Sequence, residues 1–332
     1  MRLLVTGGCG FIGSNFIRHV LAEHPRDEVL NLDKLTYAGN PTNLAEVEES
    51  ARYFFHRGDI CEPEDVEKAF AWGPDAVVNF AAETHVDRSI SSPEDFVRTD
   101  VLGTFRLLEQ ARSLGIRFMQ ISTDEVYGSI AEGSFTEESP LRPNSPYAAS
   151  KAGADLLVRS YVRTYGIDAV IARSSNNYGP YQYPEKVIPL FVTNLLEGRK
   201  VPLYGEGSNV RDWLYVRDNC RAIDLVLRSG LSGEAYNIGA GQEKTNLELT
   251  HAILDILGAG EDAIERVPDR LGHDLRYSIE TAKLRELGWE PLQDFESGLR
   301  ETVQWYRDNT AWWEPIKSGD FRRYYLEKYG DI

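Results

Sequence analysis

The stretch that decides the fold is LLVTGGCGFIGSNF, residues 3–16, where a short apolar run is followed at once by glycines. Gly7, Gly10 and Gly13 recur at every third position between a predicted strand and a predicted helix. Because glycine has no Cβ atom, the backbone can turn tightly there and approach a pyrophosphate, which the helix N-terminus also favours. A tight turn alone would also explain such a series taken in isolation. The stretch predicts a dinucleotide-binding unit.

The residues that follow the next strands indicate which dinucleotide is bound. Asp33 stands at the end of the second predicted strand, about 20 residues beyond the glycine series. Its carboxylate can accept both ribose hydroxyls of NAD and would repel the 2′-phosphate of NADP, a preference that the adjacent Lys34 weakens. NAD is therefore the predicted cofactor. The next predicted cofactor contacts follow the third and fourth strands, and they are Asp59, Ile60, Ala81 and Ala82. Ordinary strand-end loops are the alternative explanation for these residues.

Apolar runs and helical periodicity alternate along the first half of the chain. The strand-like runs occur at 2–6, 28–32, 53–56, 75–80, 116–122 and 168–173, with another at 235–239. Helical stretches lie between them at 13–24, 62–71, 96–114 and 147–165. Near-continuous apolar strands separated by helices indicate a parallel sheet covered on both faces. We therefore predict an α/β fold with a Rossmann-type doubly wound sheet of about seven strands.

Beyond about residue 175 the pattern changes to segments punctuated by proline and glycine. The helical stretches there, at 187–197, 246–258 and 295–308, predict a smaller, mostly helical lobe. The predicted division assigns 1–175, with 211–239 returning, to an NAD-binding domain. It assigns 176–210 and 240–332 to a substrate-binding domain.

The composition argues against nucleic acid and membranes as partners. The 36 basic and 52 acidic side chains give the 332 residues a net charge of −16, which repels polyanions. An anionic substrate must therefore be held by local basic groups. We find no signal-peptide segment, no apolar stretch long enough to cross a bilayer, and no metal-ligand spacing around the three cysteines. We expect a cytoplasmic protein with reduced thiols and no bound metal.

Tyr147 and Lys151 are four residues apart, so a helix places them on one face. Ser145 and Pro146 before them are typical of the cap and the first position of a helix. A tyrosine titrates near ~10 in water, and a neighbouring ammonium together with a nicotinamide cation would favour its phenolate form. Such pairs are common on helix surfaces, but beside a dinucleotide site this one predicts a base.

The glycine series, Asp33 and the pair of Tyr147 and Lys151 together resemble the extended short-chain dehydrogenase/reductases, along essentially the whole chain. The resemblance implies that NAD stays tightly bound and is recycled within each turnover. It also implies a set of cofactor contacts. Those positions are Gly7, Gly10, Phe11, Ile12, Gly13, Asp33, Lys34, Leu35, Thr36, Asp59, Ile60, Ala81, Ala82, Thr84, Thr99, Ser122, Tyr147, Lys151 and Asn177.

The segment after the fifth strand distinguishes between activities within that family. Thr123 matches the hydroxyl that contacts the sugar hydroxyl being oxidised. Asp124 and Glu125 match the acid and the base of the dTDP-glucose 4,6-dehydratases, whereas an epimerase typically has no carboxylates directly after that threonine. The resemblance implies that Glu125 removes the proton at C5 and Asp124 protonates the departing 6-hydroxyl. Coupled titration of the two neighbours is expected to help keep one of them protonated.

The resemblance also implies how a nucleotide sugar is held. The planar fork of Arg211 suits a pair of diphosphate oxygens. An isolated histidine such as His85 is more often a structural hydrogen-bond donor, and Leu271 stands where the family usually has proline. The implied substrate contacts are His85, Thr123, Glu125, Asn176, Lys186, Val187, Arg211, Asn246, Arg270 and His273.

The helical stretches 96–114 and 147–165 match the positions through which family members pair, so we expect a homodimer. One alternative function is that of another NAD-dependent nucleotide-sugar enzyme, such as a UDP-glucose dehydratase, a decarboxylase or an epimerase. A second is that of a non-catalytic NAD-binding regulator on the same fold. The complete catalytic set favours the dehydratase, and it comprises Thr123, Asp124, Glu125, Tyr147 and Lys151.

Overall fold

The computed structural model describes residues 1–269 and 272–330, and its centre is a parallel sheet of seven strands. The strands in chain order are β1 (Arg2–Thr6), β2 (Glu28–Asp33), β3 (Tyr53–Arg57), β4 (Ala76–Asn79), β5 (Arg117–Thr123), β6 (Ala169–Ser174), β7 (Asn176–Tyr178), β8 (Val201–Tyr204), β9 (Val210–Tyr215), β10 (Ala235–Ile238), β11 (Glu243–Thr245) and β12 (Ile264–Val267). The central sheet has the order β10-β6-β5-β4-β1-β2-β3, with every neighbouring pair parallel. The predicted doubly wound sheet is confirmed.

Helices cover both faces of this sheet because its strands are apolar on both sides. The helices are α1 (Phe11–Glu23), α2 (Pro63–Ala71), α3 (Val86–Ser91), α4 (Pro93–Phe96), α5 (Thr104–Leu114), α6 (Pro146–Tyr165), α7 (Val187–Leu196), α8 (Val216–Ser229), α9 (Asn246–Leu257), α10 (Ala282–Glu286), α11 (Phe295–Asp308), α12 (Thr310–Ile316) and α13 (Asp320–Tyr329). Leu3 and Val5 of β1 pack into the core formed with α1 and α8. Leu4 between them packs into the core formed with α2, α5 and α6.

The strand order reverses beside β1, and this reversal positions the site. From β1 the chain moves to β2 and β3 on one side, and β4, β5, β6 and β10 lie on the other. The loops that leave β1 and β4 therefore diverge, and a crevice remains between them at the carboxyl ends of the strands.

Two helical segments decide where the catalytic side chains point. Helix α6 begins as predicted, with Ser145 Oγ accepting the N–H of Ala148 at 3.1 Å and Pro146 in the first position. The predicted helix 96–114 is instead interrupted, because residues 97–103 form a wider π-helical turn between α4 and α5. That segment contains Asp100, which is buried and accepts a hydrogen bond from Ser150 Oγ of α6 at 2.5 Å.

The second group of elements builds a smaller core beside the sheet. Strands β7, β9 and β11 form one small sheet, and β8 pairs with β12. Helices α7, α9 and α11 to α13 pack around buried aromatic side chains that include Tyr178, Trp213, Phe295, Tyr306 and Trp313. Every helix in the described part of the chain is too short or too polar to cross a bilayer.

Candidate active site

A cavity of about 430 Å³ opens at the carboxyl edge of the central sheet, where the strand order reverses. Residues at and just beyond the ends of β1 to β6 form one wall. Residues of α7, β8 and β9 and the first residue of α9 form the other wall. The cavity therefore lies between the sheet and the smaller core.

The structure brings the residues predicted from the sequence to this cavity. Its lining includes all five predicted catalytic residues, every predicted cofactor residue except Leu35, and every predicted substrate residue except Arg270. Arg270 lies outside the described residues. Leu35 does not line the cavity: its side chain packs against the core, and its N–H donates to Asp33 Oδ1 at 2.8 Å, next to the predicted ribose contact. Its contact with the cofactor stays a prediction.

The glycine series forms a tight turn in which Gly7 and Gly13 have no room for a side chain. Gly7 has a φ of +69°, and a Cβ atom on it would lie 2.6 Å from the nitrogen of Ala81. A Cβ on Gly13 would lie 2.4 Å from the oxygen of Gly7, so α1 is packed directly against the turn. A Cβ on Gly10 would meet only that same oxygen, at 3.2 Å. Gly10 caps α1 without a side chain, so the first N–H groups of the helix remain available to an anion.

Asp33 is held rigidly at the end of β2. Its two carboxylate oxygens accept the N–H groups of Cys9 at 2.9 Å and Leu35 at 2.8 Å. Burial raises the pKa of Asp33, and these two hydrogen bonds oppose that rise. The ammonium of Lys34 turns to Asp59 at 2.8 Å, which raises the pKa of the lysine. Because the lysine charge is paired with Asp59, it does little to weaken the preference for NAD that Asp33 creates.

Tyr147 and Lys151 lie on one buried face of α6. Lys151 Nζ donates to the main-chain oxygen of Ile121 at 2.6 Å. Burial, with the charges of Glu125 and Asp100, raises the pKa of Tyr147 well above its ordinary value. The protein's own groups therefore favour the phenol, whereas the sequence led us to expect that the lysine would help the phenolate to form. Burial and the negative charges of the surrounding carboxylates both disfavour the phenolate of Tyr147. Together they outweigh the effect expected of the Lys151 ammonium.

Asp124 and Glu125 occupy a short 3₁₀ turn, residues 124–127, that begins where β5 ends. The Thr123 hydroxyl caps this turn by accepting the N–H of Glu125 at 3.2 Å, and it donates to Asp124 Oδ1 at 3.2 Å. Burial raises the pKa of Asp124 to about 8, with a further contribution from the charge of Glu125 and an opposing one from Arg211. Burial is thus the first cause of the raised pKa and the predicted repulsion the second. Glu125 is only partly buried and lies 3.5 Å from the Tyr277 hydroxyl.

Basic side chains converge on the outer part of the cavity. Arg211 is buried, donates to the main-chain oxygens of Val210 and Asp274 at 2.7 and 3.0 Å, and stacks over the Tyr277 ring. Lys186 Nζ donates to the main-chain oxygen of Thr84 at 2.6 Å. His273 is held by Asp269 at 2.6 Å. Arg211 and Lys186 supply the local positive charge that an anionic substrate requires in a chain of net charge −16.

Several buried oxygens at the cavity have no hydrogen-bond partner among the described residues. They belong to side chains that line it, namely Ser122 Oγ, Asp124 Oδ2, Asn176 Oδ1, Asn177 Oδ1 and Gln182 Oε1. A buried polar atom without a partner is costly, so such a concentration is typical of a site that is completed by a bound molecule.

The structure also adds residues that the sequence reasoning missed. Glu83, Gln182, Glu185, Tyr204 and Tyr329 all line the cavity. The hydroxyls of Tyr204 and Tyr329 lie 3.0 Å apart. The turn formed by Gly205 and Gly207 directly after Tyr204 was a usable signal for a strand end. No local signal marks Tyr329, which reaches the cavity only through the packing of α13.

Comparisons with known proteins agree with this arrangement. Residues 4–302 match the model of the family described as GDP-mannose 4,6 dehydratase. The dTDP-glucose 4,6-dehydratase of Streptomyces niveus is 58% identical over 327 residues, covering 96% of this chain and 97% of that protein. The dTDP-glucose 4,6-dehydratase of Neisseria meningitidis serogroup B is 49% identical and covers 99% of each chain.

A solved structure extends the similarity to three dimensions. DesIV, a dTDP-glucose 4,6-dehydratase from Streptomyces venezuelae determined with NAD bound, superposes with a TM-score of 0.93. It is 57% identical, and the match covers 96% of this chain and 100% of the DesIV chain. This chain therefore belongs to the dTDP-glucose 4,6-dehydratase family of extended short-chain dehydrogenase/reductases.

Proposed function

We propose that this protein converts dTDP-glucose into dTDP-4-keto-6-deoxyglucose and water, with NAD as a resident cofactor. The observation that carries the proposal is the meeting of a buried acid, Asp124, and a second carboxylate, Glu125, with Tyr147 in one cavity. A dehydratase needs this set because it must remove a carbon-bound proton and expel a hydroxyl group. Relatives of this name at 58% and 49% identity support the same substrate.

The residues present fit NAD. The glycine turn leaves space for a pyrophosphate at the start of α1, and Asp33 is oriented by two backbone N–H groups. The unpartnered oxygens of Ser122 and Asn177 offer further hydrogen bonds. Held by these residues, NAD would supply reversible hydride chemistry, as acceptor at C4 of the sugar and as donor at C6.

The side chains supply the proton transfers. Tyr147 acts on the 4-hydroxyl as the phenolate, which the positive charge of a bound nicotinamide would favour, and it accepts the proton of that hydroxyl. Thr123 lines the same cavity and orients the hydroxyl. The ketone at C4 acidifies the proton at C5, which Glu125 removes. Asp124, protonated at neutral pH because burial raises its pKa to about 8, donates to the departing 6-hydroxyl. Each positioned acid or base contributes ~10² to 10⁴ in rate.

The outer part of the cavity holds the nucleotide diphosphate. Arg211 and Lys186 provide charge-assisted hydrogen bonds to its oxygens, with His273 and Asn246 beside them. Arg211 is held in place by two main-chain oxygens and by the Tyr277 ring. This fixed orientation suits a planar, bidentate contact.

We also propose the organisation that the sequence predicted. Residues 1–175 and 211–239 bind NAD, and 176–210 and 240–332 bind the nucleotide sugar. The protein acts in the cytoplasm as a homodimer paired through residues 96–114 and 147–165. Exposed apolar side chains on these helices support the pairing, and they include Val97, Leu102, Phe105, Leu156 and Tyr165.

The test is incubation of the purified protein with dTDP-, UDP- and GDP-glucose in heavy water without added NAD, followed by mass analysis. We expect loss of one water and incorporation of solvent deuterium at C5, with dTDP-glucose preferred. An epimerase would give a product of unchanged composition. A non-catalytic regulator would turn over none of the three, and a UDP- or GDP-sugar enzyme would show a different preference.

A further inference from the structure

Two histidines and an aspartate meet where the end of α1 packs against α8, away from the cavity. His19 lies in the last part of α1, His24 directly follows that helix, and Asp224 lies on α8. Asp224 Oδ2 is 2.6 Å from His24 Nε2 and 3.3 Å from His19 Nε2. Within the described residues, this is the one group of three or more histidine, cysteine, aspartate or glutamate side chains whose ligand atoms all lie within 4.8 Å of one another.

The end of α1 brings the two imidazoles to one side. Residues five apart on a continuous helix point about 140° apart, so His19 and His24 would diverge if the helix went on. At His24 the backbone has a φ of −121° and a ψ of 85°, so the chain leaves the helix there and the ring turns back to Asp224. The expectation of no bound metal considered only the spacing around the cysteines. Asp224 lies 205 positions after His19, so spacing along the chain does not reveal this group.

The carboxylate of Asp224 is held in place and stays ionised. Its other oxygen, Oδ1, accepts a hydrogen bond from Arg228 Nε at 2.6 Å. Burial alone would raise the pKa of Asp224, but hydrogen bonds from the two imidazoles and the guanidinium lower it well below its ordinary value. The Arg228 guanidinium also donates to Asp27 at 2.7 Å, which offsets its positive charge. Oδ2 is therefore a negative atom with a fixed direction, and such support of a ligating carboxylate is typical of metal sites.

We propose that His19, His24 and Asp224 bind one divalent transition-metal ion of the zinc type, which clamps the end of α1 to α8. Two imidazoles and a carboxylate suit Zn²⁺ and Co²⁺, whereas Mg²⁺ prefers oxygen ligands. Each neutral imidazole can carry its single proton on Nδ1, so Nε2 is free to bind the ion without a change of oxidation state. Water completes the fourth position.

The geometry requires only side-chain rotation. Bonds of about 2.0–2.1 Å in a tetrahedral site place the ligand atoms about 3.3 Å apart. The observed separations run from 2.6 Å to at most 4.8 Å, so each lies within about 1.5 Å of that value. The side chain of His24 is 28% exposed, which leaves it room to rotate and gives an ion access from solvent.

The ion acts on stability and not on the reaction. Helix α1 has 13 residues, so its end lies about 20 Å from the glycine turn at its start. Helices α1 and α8 pack together in the core on one face of the central sheet. An ion that binds this folded arrangement and not the unfolded chain raises Tm. The inference is independent of the proposed function.

The binding test uses the purified protein without an affinity tag, after removal of metals with a chelator. Calorimetric titration with ZnCl₂ should show one ion per chain, and Co²⁺ should give the visible absorption of a tetrahedral site. His19→Gln and His24→Gln should each weaken Zn²⁺ binding by at least about tenfold. The matched control is His251→Gln, which removes an exposed histidine paired with Glu261 and should keep the wild-type affinity.

Thermal unfolding tests the clamp itself. Saturating Zn²⁺ should raise the Tm of wild type by at least about 2 °C and leave that of His24→Gln unchanged, and Mg²⁺ should raise neither. Failure of wild type to bind one ion per chain would show that the three side chains form an ion-pair cluster only. Binding that survives in both histidine variants would place the ion elsewhere, and binding without a rise in Tm would contradict the clamp.

Discussion

Asp155 Oδ2 accepts a hydrogen bond from Arg173 Nε at 2.9 Å, and both side chains are buried beside the cavity. Asp155 lies one helical turn after Lys151 on α6, and Arg173 lies on β6 directly before Ser174. Arg173 also donates to the Tyr127 hydroxyl at 2.7 Å. The pair therefore ties the helix that carries the base to the strand that leads into the substrate loop.

Replacement of Asp155 by alanine should destabilise the fold strongly. Arg173 would remain buried without its carboxylate, and breaking a buried pair in this way costs about 3–5 kcal/mol. Urea unfolding followed by circular dichroism measures the change. The control is Lys200→Ala, which removes an exposed partner of Glu265 and should cost less than about 1 kcal/mol. Equal effects of the two changes would contradict the importance of the buried pair.

Tyr147→Phe should abolish oxidation of the sugar. The ring and its packing against Phe96 remain, but the oxygen that accepts the 4-hydroxyl proton is lost, with an expected fall in kcat of ~10² to 10⁴. Cofactor reduction in a single turnover, read by absorbance, reports this step directly. Tyr165→Phe on the exposed end of the same helix is the matched control. Retention of full activity by Tyr147→Phe would remove the tyrosine from its assigned role.

Glu125→Gln should separate oxidation from elimination. The amide cannot remove the proton at C5, so reduced cofactor is expected to accumulate on the protein while release of the dehydrated product falls by ~10² to 10⁴. Stopped-flow absorbance and product analysis measure the two steps. Glu132→Gln changes an exposed carboxylate of the same segment and should leave both steps intact. Unimpaired product formation by Glu125→Gln would show that another group is the base.

The rate of elimination should fall as the pH rises through about 8. Burial raises the pKa of Asp124 to about 8, and a carboxyl group donates a proton only below its pKa. The protonated form of Asp124, which is present at neutral pH, is therefore lost as the pH rises above about 8. The pH profile of the dehydration step at saturating substrate measures this fall in rate. Asp124→Asn should not show it, because the amide does not titrate in this range. A wild-type rate that is constant through this range would contradict the assignment of Asp124 as the acid.

Gly13→Ala should lower the NAD content of the purified protein. An added Cβ would lie 2.4 Å from the oxygen of Gly7, so the turn and α1 must move apart. Gly153→Ala is the control, because its Cβ would come only to 3.3 Å of a Val101 methyl group within a helical region. Acid extraction of bound nucleotide measures occupancy. An unchanged NAD content in Gly13→Ala would show that the close packing of this turn is not required.

The arrangement of the candidate site was predictable where local patterns carry the information. The spacing of Tyr147 and Lys151 fixes a shared helix face, and the cap at Ser145 fixes where that helix begins. The positions of Asp33 and Thr123 at strand ends follow from the apolar runs before them. The wider turn around Asp100 was not predictable, because its carboxylate is drawn to Ser150 of another helix.

The sequence by itself determined the doubly wound sheet, the glycine turn and the residue types at the strand ends, because local periodicity and spacing along the chain indicate each of them. Only the tertiary structure decided that burial raises the pKa of Asp124 to about 8, that Asp124 and Tyr147 line one cavity, and that the Tyr329 hydroxyl meets that of Tyr204. These properties depend on which distant segments exclude water from the cavity. Solvent exclusion is set by the packing of the whole chain, and no short stretch of sequence contains it.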